Sequence, residues 1–227
     1  TFVTMLSCED FLEEDNIANV ASATYYPTAA GLEDAVKATY GIMKEYYGPE
    51  IGWTMGVFGT DTYQEGADGS HKYVNRYDSG HNSAARYFRD TWRIFYRGIN
   101  QANAVVNRSE SVEGVSEALK NTRVAEARFL RALYYFVLTR HYGDIHLSLE
   151  ETVGVEVEAN KTSAEEIYMK AIIPDLEFAA SNLPNTQSDY GRATKAAAEF
   201  LLAKALMTRS YKSFAESTDA SRAENLM

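Results

Sequence analysis

The sequence is poor in cysteine, in long apolar runs and in basic residues, and each shortage excludes a class of protein. A single cysteine, Cys8, among 227 residues excludes an internal disulfide and any zinc site built from several cysteines. No stretch of about 18 consecutive apolar residues occurs, so no segment is predicted to cross a bilayer as a helix. Asp and Glu (32) outnumber Lys and Arg (22), which gives a net charge of −10. Such a chain repels phosphate backbones, so nucleic acid and anionic membrane surfaces are not expected partners.

The composition is otherwise that of a folded globular chain. Hydrophobic residues make up 45% and charged residues 24%, with only four prolines, which argues against disorder. The four histidines show no metal-ligand spacing, and no phosphate-binding loop or nucleophile motif is present. The sequence therefore predicts no catalytic residue, no metal and no cofactor. A pair of glycosidase carboxylates stays open as a distant alternative, because such pairs are defined by separation in space.

The one cysteine occupies an informative position. Cys8 follows a short apolar segment that ends in a small residue, Ser7, as in the cleavage site of a bacterial lipoprotein signal. Acidic residues follow directly, and such a run is usually a solvated tether. We interpret residues 1–8 as a signal remnant with lipidation at Cys8, and residues 9–31 as an acidic tether and N-terminal arm; a stray buried cysteine is the alternative.

Residues 32–227 are predicted to form an all-α domain. Apolar residues recur there at steps of three or four, typical of amphipathic helices, and no alternating strand pattern appears. Ser116, Ser163 and Thr194 are predicted N-caps, Ser163 as part of a capping box with Glu166. Pro174 lies inside a helix and predicts a kink near Ala171. The predicted helices cover residues 32–47, 83–108, 116–142 and 163–183, and a further helix follows Thr194.

Successive helices of this kind are expected to pair in antiparallel fashion. Helix hairpins that follow one another suggest a tetratricopeptide-like stack, in which each pair buries its apolar stripe against the next. The spacing is too uneven for a regular 34-residue repeat. An irregular helical bundle fits the periodicity equally well.

Residues 48–82 show no sustained period and are predicted to be a long loop, the first candidate for a binding surface. Seven of the fourteen glycines occur there, and long loops inside compact domains are often functional. Aromatic rings can stack on sugar rings, while Asp and Arg can hydrogen-bond paired hydroxyls. The alternative is that these rings only anchor the loop. The ligand-binding candidates are Trp53, Asp61, Tyr63, Tyr73, Arg76, Tyr77 and Asp78.

Four arginines project from one side of the predicted helix 83–108. They could hold an anionic sugar or an acidic partner, but a solvated face with local ion pairs, such as Arg86 with Asp90, is favoured. The four are Arg86, Arg89, Arg93 and Arg97.

Three segments together resemble the SusD/RagB family of outer-membrane nutrient-binding lipoproteins over most of the chain. One departure is His146, where the family generally has proline after a Gly-Asp-hydrophobic turn, so that turn is expected to be less rigid. Family members also typically run to about twice this length, so a C-terminal portion is expected to be missing. The segments are TWRIFYRGINQAN (91–103), AEARFLRALYYF (125–136) continuing to RHYGDI (140–145), and EIY, DL, LP, GRATK and LLAK between residues 166 and 204.

The resemblance implies a right-handed tetratricopeptide-like superhelix of antiparallel helix pairs with long loops. It further implies lipid anchoring at Cys8, display on the outer cell surface, and partnership with a SusC-like TonB-dependent transporter. The expected function is capture of oligosaccharide, or in some members peptide, for delivery to that transporter, without catalysis. A helical protein–protein scaffold is the alternative, and a glycoside hydrolase a more distant one.

Overall fold

The computed structural model describes residues 25, 27–63, 65–67, 72–154 and 160–227. Within these ranges the regular structure is helical, apart from one isolated antiparallel bridge between Ile145 and Thr162. The predicted all-α fold class is therefore confirmed. The α-helices are α1 (Ala29–Tyr47), α2 (Glu50–Val57), α3 (Lys72–Arg76), α4 (Arg86–Arg108), α5 (Glu117–Tyr142), α6 (Ala164–Ile167), α7 (Ile173–Asn182), α8 (Lys195–Ser210) and α9 (Asp219–Glu224).

The three predicted N-caps are confirmed. Each hydroxyl accepts a hydrogen bond from the backbone N–H three residues further on, which satisfies one of the free donors at a helix start. The capping box is only half formed, because the Glu166 carboxylate pairs with Lys170 and not with the backbone of Ser163. The cap bonds are Ser116 to Leu119, Ser163 to Glu166, and Thr194 to Ala197.

Two predicted boundaries are corrected. Helix α1 begins at Ala29, inside the segment assigned to the arm, because Thr28 caps it by accepting from the N–H of Gly31. Residues 48–82 are not one continuous loop, since α2 and α3 lie within them. Cys8 and the rest of residues 1–24 lie outside the described residues.

Pro174 disturbs its helix as predicted, in the form of a π-helical turn. Residues Tyr168–Ile172 adopt this wider turn between α6 and α7, and Pro174 follows near the start of α7. Proline has no N–H to donate, and π-helical turns occur where the regular ladder of helix bonds is interrupted. The chain thus changes its bonding pattern immediately before the proline.

Successive long helices pack antiparallel. The end of α5 meets the start of α4, where the Tyr142 hydroxyl donates to the Phe88 carbonyl at 2.7 Å. Midway, Gly98 lets α4 approach its neighbours closely, because a Cβ at this position would lie 2.7 Å from the Tyr134 ring and 2.9 Å from Ile42 of α1. The fully buried rings of Phe95 and Tyr134 fill the core beside it.

The same arrangement continues from α5 to α7. The buried guanidinium of Arg131 on α5 donates to both carboxylate oxygens of Asp175 on α7, at 2.7 and 2.8 Å. These two side chains are 5% and 3% exposed. A third guanidinium bond, at 2.7 Å, reaches Asn103 on α4. One buried ion pair thereby links three helices.

That network also fastens the segment 145–152 across α4 and α5. Asn103 donates to the carbonyls of Ser148 and Glu150 at 3.1 and 2.9 Å, and Arg131 reaches the carbonyl of Leu149 at 3.3 Å. Tyr135 both donates to and accepts from the backbone of Ser148, each at 2.8 Å. Beyond Ile145, which bridges to Thr162, this segment thus finds several of its backbone partners among helix side chains.

Candidate functional site

An exposed aromatic cluster, here called the platform, consists of Trp53, Phe58 and Tyr63. Trp53 lies on α2 and is 45% exposed, while Tyr63 is 39% exposed. The Trp53 ring centroid is 4.7 Å from that of Tyr63 and 5.1 Å from that of Phe58. Phe58 and Tyr63 stack at 5.5 Å. Aromatic rings with free faces offer flat apolar surface beside solvent.

The structure therefore brings two predicted candidates, Trp53 and Tyr63, into contact. Phe58 completes the platform but was not among the predicted site residues. It directly follows the last residue of α2, and its proximity to Trp53 depends on that helix. A separation of five residues does not place two side chains on one helix face, so the sequence carried no periodic signal for this contact.

Tyr77 connects the platform to the neighbouring surface. It is 64% exposed, and its backbone has a φ of 52°, a left-handed conformation that is uncommon for a residue with a Cβ. Its hydroxyl donates to the Gly59 carbonyl at 3.3 Å, next to Phe58. A side chain at Gly59 would collide with this ring, since a Cβ there would lie 2.5 Å from the Tyr77 hydroxyl. Glycine at position 59 makes room for Tyr77.

The charged candidates are partly engaged in the loop itself. Arg76 forms a bidentate pair with Glu65, whose two oxygens lie 2.8 Å from the guanidinium Nε. These hydrogen bonds lower the pKa of the Glu65 carboxyl. Asp78 accepts the N–H of Gly80 at 2.8 Å and so stabilises a turn. Asp61, by contrast, is exposed and pairs with no cation among the described residues.

Tyr73 lies between the loop and α4. Its ring is half-buried and lies 6.4 Å from Phe88, and its carbonyl faces Nδ1 of His81 at 3.3 Å. The His81 ring in turn lies 5.1 Å from Tyr77 and 4.6 Å from Phe88. Tyr73 is therefore placed on the side of the loop that faces α4.

Beyond His81, the exposed side of α4 carries an open cleft of about 530 Å³, here called the α4 groove. Trp92 forms part of its wall and packs edge-on against Tyr142 with centroids 5.3 Å apart. Phe88 and Trp92 have the four-residue spacing of one helix face, and both are only half-buried. The groove is lined by His81, Phe88, Arg89, Trp92, Arg93 and Tyr142, together with other residues.

Two features were not found among the described residues. Among them, no group of three or more His, Cys, Asp or Glu side chains is arranged to hold a metal ion. None of their helices combines the length and apolarity needed to span a membrane. What the surface does offer is ring faces, hydroxyls and a few charges.

Comparison with known proteins identifies the family. Residues 10–207 match a SusD-like family that is described as starch-binding and associating with the outer membrane. The chain belongs to the SusD-like family. Its tetratricopeptide-like helical architecture is the one that the resemblance predicted.

Individual SusD-like relatives resemble the chain along most of its length. The SusD-like protein P25 of Formosa agariphila is 29% identical over 87% of this chain and 40% of its own. A laminarin-binding SusD-like protein superposes with a TM-score of 0.73 at 24% identity, over 86% of this chain and 42% of its own. A structure with xylogluco-oligosaccharide gives a TM-score of 0.68 at 28% identity, over 86% and 39%. The chain spans about two fifths of the length of the curated relatives it matches.

Proposed function

We propose that this SusD-like chain captures glycan at the platform. The observation that carries the proposal is the contact of Trp53, Phe58 and Tyr63 in one exposed cluster. Pyranose rings have an apolar face of C–H groups. Moving this face from water onto an aromatic ring is favourable, because apolar surface of both groups is buried. Relatives with the same helical scaffold include a laminarin-binding protein and one solved with xylogluco-oligosaccharide, which supports a glucan as the ligand.

The charges beside the platform favour a neutral glycan. Lys72 and Arg76 both pair with Glu65, at 3.9 Å for Lys72. Asp78 also interacts electrostatically with Arg76, so the carboxylates Glu65, Asp78 and Asp61 outnumber the two cations in this loop. The unpaired carboxylate of Asp61 can accept hydrogen bonds from sugar hydroxyls and would repel an anion. Tyr63 and Tyr77 add hydroxyl groups at the edge of the platform.

Delivery to a transporter completes the proposed function. In this proposal Cys8 carries the lipid anchor on the outer face of the outer membrane, and the acidic residues after it form the tether. The bound oligosaccharide, or alternatively a peptide, passes to a SusC-like TonB-dependent transporter. No catalytic step is proposed for the chain itself.

Titration calorimetry of the protein against laminari-, xyloglucan and starch oligosaccharides, with chromatography of the sugars afterwards, tests the function. Heat of binding with unchanged oligosaccharides supports capture. Release of shorter sugars would instead assign glycoside hydrolysis. Absence of binding to every glycan, with binding to a peptide panel or to a partner protein only, would overturn the platform proposal.

A second experiment tests the anchor. The protein and its Cys8→Ala variant are expressed behind a lipoprotein signal in a Gram-negative host and partitioned between detergent and aqueous phases. The lipidated protein is expected in the detergent phase and the variant in the aqueous phase. Equal partitioning of the two would contradict lipidation at Cys8.

A further inference from the structure

The α4 groove is a second surface, separate from the platform and joined to it through Tyr77 and His81. Its apolar wall combines Phe88 and Trp92, which lie one helical turn apart, with Tyr142 of α5. The wall is rigidly held, because Tyr142 donates to the backbone of Phe88 at 2.7 Å and packs against Trp92. The groove thus offers a ring face of fixed orientation beside polar side chains.

Arg93 distinguishes the groove electrostatically. The neighbouring arginines of α4 are already paired: Arg86 and Arg89 lie 3.6 and 3.3 Å from Asp90, and Arg97 pairs with Glu45. Arg93 lines the α4 groove and an adjoining cleft, yet no carboxylate of the described residues lies within salt-bridge distance of it. The pair of Arg86 with Asp90 confirms the sequence prediction of local ion pairs on this face, and the exposed side chain of Arg93 is compatible with that prediction.

Of the two histidines of the groove, His141 has a pKa below its usual value and so adds little positive charge at neutral pH. Partial desolvation lowers the pKa of His141, with the positive charge of Arg140 as the second cause. Nδ1 of His81 faces the Tyr73 carbonyl, where its N–H can donate, so Nε2 is left as an acceptor in the neutral ring. Arg89 and Arg93 both line the groove, and of these two only Arg93 has no carboxylate within salt-bridge distance among the described residues, in a chain whose net charge is −10.

We propose that the α4 groove binds an acidic sugar residue, with its carboxylate on Arg93 and its ring against Trp92. A guanidinium presents a planar fork that matches a carboxylate in bidentate geometry. The adjacent indole covers the apolar face of the same pyranose ring. This inference rests on the proposed glycan capture and extends it, because the platform favours neutral sugars and the groove favours uronates. A mixed glycan could then occupy both surfaces at once.

The two tryptophans of the chain allow each surface to be followed separately. Trp53 belongs to the platform and Trp92 to the α4 groove, and the sequence contains no others. The variant Trp53→Phe leaves Trp92 as the sole reporter, and Trp92→Phe leaves Trp53. The probes are cellotetraose and the tetramer oxidised to a uronate at every C6, which share one linkage and differ in charge.

The uronate tetramer is expected to change the emission of Trp92 in the Trp53→Phe protein and to bind about tenfold more tightly than cellotetraose there. Substitution Arg93→Gln should weaken uronate binding about tenfold, the loss of one charge-assisted contact. It should leave the affinity for cellotetraose unchanged. The matched control Arg86→Gln removes an equal charge from the same helix outside the groove, and should change uronate affinity less than twofold.

Three outcomes would overturn the inference: equal affinity for the two tetramers, full uronate affinity in Arg93→Gln, or an equal loss in Arg86→Gln, which would indicate a general charge effect. Circular dichroism of each variant confirms the helical fold. Failure here is distinguishable from failure of the proposed function. If neutral glycan still changes the emission of Trp53 in the Trp92→Phe protein, the platform stands without the groove.

Discussion

Replacing Asp175 by asparagine would leave the buried guanidinium of Arg131 without its carboxylate partner. The substitution keeps the size of the side chain, so packing changes little. It removes the negative charge that compensates Arg131. The same charge also attracts Arg128, whose Nε lies 3.9 Å from the carboxylate. Burial raises the pKa of Asp175, while the hydrogen bonds and charge of Arg131 act in the opposite direction. The bidentate geometry supports an ionised carboxylate at neutral pH.

The magnitude follows from the burial of the pair. With the two side chains 5% and 3% exposed, solvent cannot replace the lost interaction. Removing one partner of such a pair costs about 3–5 kcal/mol in the free energy of unfolding. For a chain of this size that corresponds to a decrease in Tm of roughly 6–20 °C. The segment 145–152 should also loosen, because Arg131 and Asn103 hold it.

Urea unfolding followed by circular dichroism measures the first effect, and amide hydrogen exchange at Ser148 measures the second. The control is Glu177→Gln on the same helix, whose side chain is 49% exposed and pairs with Arg222; it should cost no more than about 1 kcal/mol. An Asp175→Asn variant as stable as this control would refute the role of the buried pair. So would unchanged exchange at Ser148.

Two further predictions concern packing and pH. Gly98→Ala should destabilise the protein by about 1–3 kcal/mol, because its Cβ would overlap the Tyr134 ring. The control Gly41→Ala has no heavy atom within 4 Å of the added Cβ and should stabilise α1 by roughly 0.5–1 kcal/mol. Similar thermal stability of the two variants would contradict this explanation. The pKa of His141 is lowered in the folded state, so the unfolded chain binds the proton first and stability should fall as pH drops below about 6.5. A parallel decline for His141→Gln in urea titrations between pH 7.5 and 5 would rule out this cause.

The long helices were predictable because each carries a strong apolar period and a defined cap. Helices α4 and α5 have 23 and 26 residues, enough turns for the spacing to be unambiguous. Helix α2 was not predicted. It has eight residues, two of them glycine, so both its length and its intrinsic propensity argue against a helix. Contacts with α1 and α4 hold it in place.

The candidate site was predictable as a region but not as a geometry. Trp53 and Tyr63 are ten residues apart, and only the turn after α2 brings their rings together. The sequence shows that Arg76 carries a charge, but its ion pair with Glu65 forms only when the loop folds. The α4 groove escaped prediction for a different reason: Phe88 and Trp92 have the spacing of core residues, and their partial exposure depends on which neighbours cover them.

The most direct test of glycan capture is titration of laminarihexaose into the protein, the Trp53→Ala variant and a control variant, Tyr211→Ala. Covering about 50 Å² of the Trp53 face with sugar, at roughly 25 cal/mol per Å², corresponds to about a tenfold change in Kd. Tyr211 is also an exposed ring but lies at the end of α8, outside the platform. We expect the Trp53 variant to bind about tenfold more weakly and the Tyr211 variant to bind as the unmodified protein does. Equal affinity of all three proteins would contradict the platform as the site of capture.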